Sequence, residues 1–209
     1  MEETEKLTTK DCVDLAVQAG MGLIPYVGST LQTLYYGRKD ELRFKRIEAF
    51  YKELGQSLQD VSERLKTTLN TDNEPELISI IEGIHDEIET ARAQTKRTYY
   101  RNLYKNSLLF NNRIDQSYYL ELLKLLSDIE MRLLLDIAQY KQPFTNLTFK
   151  DIQDEIIKGS LNRLVDYGVI TSKNTTFNFN TFAGQSSGGF EKEYEINDFG
   201  RSFVAFITE

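Results

Sequence analysis

Apolar positions follow a helical period through most of this chain and a strand-like period only beyond Gly168. Val13, Ala16 and Val17 share one face of a short segment over 10–19 that Thr9 can cap. Gly20, Gly22, Pro25 and Gly28 then punctuate an apolar turn, and Ser29 or Thr30 restarts a helix that Gly37 ends. Leu42, Ile47, Phe50, Leu54, Leu58, Val61 and Leu65 form an amphipathic stripe, which predicts a helix over 41–69. Pro75 suits a first helical turn, and Gly83 is the only breaker before Phe110, so one long helix is expected over 75–110. A further helix is expected over 116–126. Ser127-Asp128-Ile129-Glu130 has the spacing of a capping box, so a new helix should start there and run to about residue 140.

The last third carries the clearest signal. Thr148 can cap a helix over 149–158, and Leu161, Leu164 and Val165 mark the next one over 160–167. Gly168 supplies the left-handed residue that stops it. Strands are expected over 169–173 and 191–196, with 175–182 adding another and the glycine-serine stretch 184–189 forming a wing tip. The segment 194–203 returns as a strand and opens a final short helix. These patterns predict a mainly α protein. An N-terminal helical bundle with long helices, bearing an apolar Gly-Pro hairpin, should occupy 1–112, and a C-terminal winged-helix (α+β) module 113–209.

Composition adds bounds rather than chemistry. A chain of 209 residues can build one large core or two small ones. Its lone cysteine, Cys12, excludes an internal disulfide framework and suits a reducing compartment. Residues 1–5 are polar and acidic, unlike a secretory leader, so a cytoplasmic setting is expected. The net charge of −7 argues against non-specific attraction to nucleic acid or anionic lipid.

No catalytic, cofactor-binding or metal-ligating constellation emerges. Glu82 and His85 have the Glu-x-x-His spacing of di-iron bundles, with Glu89 a turn further on, but those sites need a second histidine and this chain has one. The single histidine also weakens triad and zinc-hydrolase chemistry. The glycines around Pro25 lack the Gly-Lys-Ser/Thr ending of a phosphate loop.

What remains are candidate surfaces. Leu23, Ile24, Pro25, Tyr26 and Val27 place five apolar residues at a turn, where chains usually meet water. They are expected either to pack within the protomer, to seal a self-association surface or to meet a membrane. Two basic-aromatic clusters could hold phosphates and stack bases. One combines Arg38, Lys39, Arg43, Lys45 and Arg46 with Phe44; the other places Lys96, Arg97, Arg101 and Lys105 on a face with Tyr99, Tyr100 and Tyr104. In the C-terminal module the candidate nucleic-acid contacts are Lys158, Asn162, Arg163 and Lys173, but Asp151, Asp154, Glu155 and Asp166 stand among them. A duplex would meet as many acids as bases, which favours protein contact over DNA.

The order of segments resembles the Abi-alpha family of bacterial and prophage proteins, linked to abortive infection. The likeness rests on the early Leu23-Ile24-Pro25-Tyr26-Val27-Gly28-Ser29 hairpin, the Leu125-Leu126-Ser127-Asp128-Ile129-Glu130 helix start, and two C-terminal steps. The family's Leu-x-x-Leu-x-x-x-Gly-Leu-Ile step reads here as 161–170, with Val169 for its leucine. Its Tyr-x-Leu-Thr-x-x-Gly step reads as 194–200, with Asn197 for its threonine. The resemblance lends no catalytic residue. It implies a role in phage conflict, and together with the absence of a catalytic constellation it leads to the expectation of a non-enzymatic interaction protein of phage defence or prophage conflict, acting through a protein partner or self-association. The alternatives are a winged-helix transcriptional regulator that binds DNA, and a helical effector acting on membranes through the 20–29 hairpin.

Overall fold

The computed structural model describes residues 41–59, 74–90, 94–182 and 185–209. Among them are seven helices and one two-stranded antiparallel sheet near the C-terminus, so the protein is mainly helical. The Gly-Pro hairpin and the continuation of the first stripe past Gln59 lie outside the described residues.

Helix α1 (Glu41–Gln59) buries Ile47, Phe50, Leu54 and Leu58 of the stripe expected from the sequence, and Tyr51 beside them. The single long helix expected over 75–110 is instead two, α2 (Glu74–Ile88) and α3 (Arg97–Leu109). At the end of α2, the backbone N–H and the hydroxyl of Thr90 both donate to the Glu87 carbonyl, each at 2.9 Å. The packing explains the break. Leu77, Ile80, Ile81, Ile84 and Ile88 line α2, while Tyr100, Leu103, Tyr104 and Leu108 line α3, and both helices pack on α1 and on each other. One straight rod would leave one of those stripes in water.

Helix α4 (Arg113–Leu125) begins where the buried Arg113 and Gln116 side chains both donate to the Phe110 carbonyl at 2.8 Å. They thereby satisfy the C-terminal end of α3. On α2, a Cβ added at Gly83 would lie 2.7 Å from Leu120 Cδ2 of α4. The glycine lets these helices approach closely.

The chain divides into two compact units, Met1–Lys124 with Ile207–Glu209, and Leu125–Phe206. This division falls a helix later than the boundary at 112 expected from the sequence. The reason is local: α4 packs on α2 at Gly83, and Lys96 donates to the Leu123 carbonyl at 2.8 Å. The C-terminal residues join the first unit through Asn102, which donates to the Ile207 carbonyl at 3.0 Å, and through Lys105, which donates to the Glu209 carbonyl.

In the second unit, α5 (Asp128–Ile137) starts with the capping box read from the sequence. Ser127 Oγ accepts from the Glu130 N–H at 3.3 Å, and Glu130 Oε2 accepts from the Ser127 N–H at 2.7 Å. The two helices expected over 149–158 and 160–167 are one, α6 (Asp154–Asp166), and Thr148 caps nothing. Gly159 sits in its interior, exposed and with nothing near its Cβ position. A helix passes through such a glycine at a cost of about 1 kcal/mol. The stripe of Ile157, Ser160, Leu161 and Leu164, buried along both expected segments, outweighs that. Between α5 and α6, the Arg132 guanidinium lies 4.8 Å from the centre of the Phe149 ring and pairs with Asp151.

Gly168 ends α6 as expected, with φ +72° and its N–H bonded to the Val165 carbonyl at 2.9 Å. Strands β1 (Ile170–Phe182) and β2 (Gln185–Ile196) then form one long hairpin, in register from Ile170↔Ile196 to Phe182↔Gln185. Its register shifts between Asn174 and Thr176. Thus 175–182 continues the first strand rather than adding another, and most of the expected wing tip is strand. Gly188 and Gly189 pair with Phe179 and Asn178. Glycine permits a turn but does not impose one when a ladder partner is present. A further bridge joins Phe144 to Tyr194 through two hydrogen bonds of 3.0 and 2.8 Å.

The closing helix α7 (Asp198–Thr208) is seated by Asn197. This side chain donates to the Gly168 carbonyl at 2.7 Å and accepts from the Gly200 N–H at 2.8 Å, while its own N–H reaches the Val169 carbonyl at 3.3 Å. One residue therefore caps the helix and ties it to the turn that ends α6.

Candidate functional site

A groove of about 430 Å³ opens within the second unit, between the irregular segment 145–148, α6 and β2. The helical period of α6 brings Asp154, Ile157, Lys158, Leu161 and Asn162 to one side, and the pleat of β2 brings Lys192 and Tyr194 to one face. Ile157, Leu161 and Tyr194 are buried and form its apolar floor. Lys158, Asn162 and Lys192 are exposed on its rim, where Lys192 donates to Asn162 Oδ1 at 3.3 Å. Across from them stand Thr145, Asn146 and Thr148. The volume lies within the range of small-ligand and peptide pockets.

Of the candidate nucleic-acid contacts, Lys158 and Asn162 thus share this groove, whereas Lys173 is exposed on β1 and does not line it. Arg163 has another task. Its Nε lies 2.6 Å from Oε1 of Glu130, and that carboxylate is 1% exposed. The same Glu130 accepts from both the backbone N–H and the hydroxyl of Ser127, each at 2.7 Å. Arg163 therefore forms an ion pair between α6 and the start of α5, a charge contact without hydrogen-bond alignment at that oxygen. Glu130→Ala removes the cap and the buried end of that pair, with an expected loss of about 2 kcal/mol. Glu130→Gln keeps an acceptor for Ser127 and should lose less than half as much. Urea denaturation measures both; equal losses would show that the cap geometry contributes nothing.

The second basic-aromatic cluster is split between core and surface: Arg97, Tyr99, Arg101 and Lys105 are half-buried, and its other members are interior. Tyr100 and Tyr104 are core residues, 1% and 0% exposed, and Lys96 is 4% exposed with its ammonium on the Leu123 carbonyl. Arg97 pairs with Glu53 at 2.6 Å and Arg101 approaches the same carboxylate at 3.8 Å, while Lys105 holds the Glu209 carbonyl. Tyrosine at helical spacing packs its ring inward, and the neighbouring cations meet acceptors that the fold brings in from elsewhere in the sequence. Of the first cluster, Arg46 donates to the Glu89 carbonyl at 2.9 Å, and Arg38 and Lys39 lie outside the described residues.

His85 faces the interior too. Its ring meets those of Tyr51 and Tyr104, with centroids 5.4 and 6.4 Å away, and neither of its nitrogens has a hydrogen-bond partner. Burial pushes its pKa down to about 4 and raises that of the Tyr104 hydroxyl. Glu82 points to solvent, so the two do not converge as ligands. Among the described residues, no three His, Cys, Asp or Glu side chains gather as metal ligands would. No described helix is long and apolar enough to cross a membrane. Leu23, Ile24, Pro25, Tyr26 and Val27 lie outside the described residues.

Sequence reasoning missed the groove. Lys192 and Tyr194, two apart in an expected strand, were the available signal for a shared face. Nothing local linked them to 145–148 or to α6. No family model matches this chain, and neither a curated protein nor a solved structure matches it.

Proposed function

We propose that this chain is a non-enzymatic interaction protein of phage defence or prophage conflict, cytoplasmic, and acting through protein contacts. The conflict role rests on the Abi-alpha-like order of segments. Protein contact rests above all on Arg163: the best-placed base-reading side chain is held by the buried Glu130. Around it, Asp154, Glu155 and Asp166 are exposed on the same helix, a poor surface for phosphates. The succession α5, α6, β-hairpin, α7, with Phe144 bridging to Tyr194, supports a winged-helix module. The mutual packing of α1, α2 and α3 supports a helical bundle in the first unit.

Expression in a bacterial host challenged with a broad phage panel is the direct test. Reduced plating, or death of infected cells before lysis, is the expected outcome. Unchanged plating and host survival across the panel would overturn the conflict role. Affinity purification followed by mass spectrometry and nucleic-acid staining tests the mode of action, and a protein partner without nucleic acid is expected. The opposing reading, a DNA-binding regulator, requires a complex with the gene's upstream DNA that weakens steeply with salt. Lys158→Glu and Lys173→Glu are its informative variants, because Arg163→Glu would set a second carboxylate against Glu130 and disturb the fold.

A further inference from the structure

We propose that the groove between 145–148, α6 and β2 takes an extended acidic peptide segment of a partner protein. This inference rests on the protein-contact function proposed above and names its partner chemistry. Among the described residues, no hydrogen bond engages Thr145, Asn146, Leu147 or Thr148. The pairing of Phe144 with Tyr194 stops just before them. Four successive residues therefore have no backbone partner among the described residues, beside a concave surface and next to the outer side of β2 that Phe144 only begins to pair, where an incoming extended chain can continue the pairing.

The walls specify the rest. Ile157, Leu161 and Tyr194 offer an apolar floor for one side chain of the incoming segment. Lys158 and Lys192 make no ion pair with any described carboxylate, so both ammoniums can meet an acid there. Asp154, on the same lining, disfavours a second acid at its own position and so limits where the acid can sit. Duplex DNA fits less well, since its phosphates form a continuous anionic ridge that would also meet the exposed Asp154, Glu155 and Asp166 of α6, whereas a peptide can place a single acid between the two lysines.

The probe is a fluorescein-labelled hexapeptide of alternating leucine and aspartate, titrated into the full chain and followed by anisotropy and by amide NMR shifts. Binding is expected, with shifts at 145–148, Lys158, Asn162 and Lys192. In Lys158→Glu/Lys192→Glu, whose altered side chains are exposed, Kd should rise at least ten-fold, and a leucine-lysine hexapeptide should bind in its place. The proposal is overturned if the acidic peptide does not bind, if the double reversal leaves its affinity unchanged, or if a duplex oligonucleotide at physiological salt binds the same residues more tightly. Phage protection that survives the double reversal would remove the groove from the defence role while leaving that role intact. Peptide binding without any protection would do the reverse.

Discussion

Gly200→Ala is expected to unfold the second unit or lower its stability by about 4 kcal/mol or more, well beyond an ordinary substitution. A Cβ at this position would lie 2.1 Å from the Val169 carbonyl oxygen and 2.9 Å from Ile196 Cγ1. The first obstacle is backbone, so no rotamer change relieves it. Helix α7 would have to move away from the α6–β1 turn. That movement would break the bonds from Asn197 to the Gly168 and Val169 carbonyls and pull on the buried Phe203. Gly159→Ala is the matched control, because its Cβ would meet nothing within 4 Å in the middle of an exposed helix turn. It should stabilise by about 0.5–1 kcal/mol. Urea denaturation with intrinsic tyrosine fluorescence and circular dichroism separates the two. A Gly200→Ala protein as stable as its parent would mean that α7 does not seat on Val169 as described.

Acid should destabilise the first unit through His85. The ring is 4% exposed, and burial lowers its pKa from 6.5 to about 4. As pH falls through 6.5, the unfolded chain takes up a proton that the folded chain refuses until about pH 4. The unfolded state is therefore favoured progressively across that window, and the penalty is constant below it. The full separation corresponds to roughly 3 kcal/mol. His85→Phe keeps an aromatic ring between Tyr51 and Tyr104 and cannot protonate. The variant should lose about 2–3 kcal/mol less stability than the parent between pH 7 and pH 4.5. Chemical denaturation at both pH values reads this difference directly, and identical acid sensitivity in the two proteins would show that His85 is not the group responsible. The uncharged variant should also be at least as stable at pH 7, since the histidine nitrogens have no hydrogen-bond partner to lose.

Local rules were enough for several elements. The α1 stripe, the Ser127–Glu130 capping box and the left-handed stop at Gly168 each depend on residues within a turn or two of one another, so spacing alone carried them. The mainly helical class followed from the same short-range periodicity. Where the expectation failed, a distant partner decided. Thr90 is an unremarkable helix residue until α2 and α3 must both reach α1, and Gly159 is a plausible break until a buried stripe runs through it. The glycines of β2 looked like a turn until β1 supplied a ladder.

The candidate surfaces show the same division more sharply. Composition identified Lys96, Arg97, Arg101 and Lys105 as a cationic face, but their acceptors, Glu53, Leu123 and Glu209, are remote in sequence and reach them only through the fold. Arg163 looked free because Glu130 is 33 positions away. The groove joins a loop, a helix and a strand that share no motif. Sequence by itself determined helix type, one cap, one stop and the excess of acid, because these depend on backbone geometry and charge within a few residues. Tertiary structure alone decided which polar groups stayed available for a partner. That depends on desolvation and on long-range pairing, and neither exists until the chain has folded.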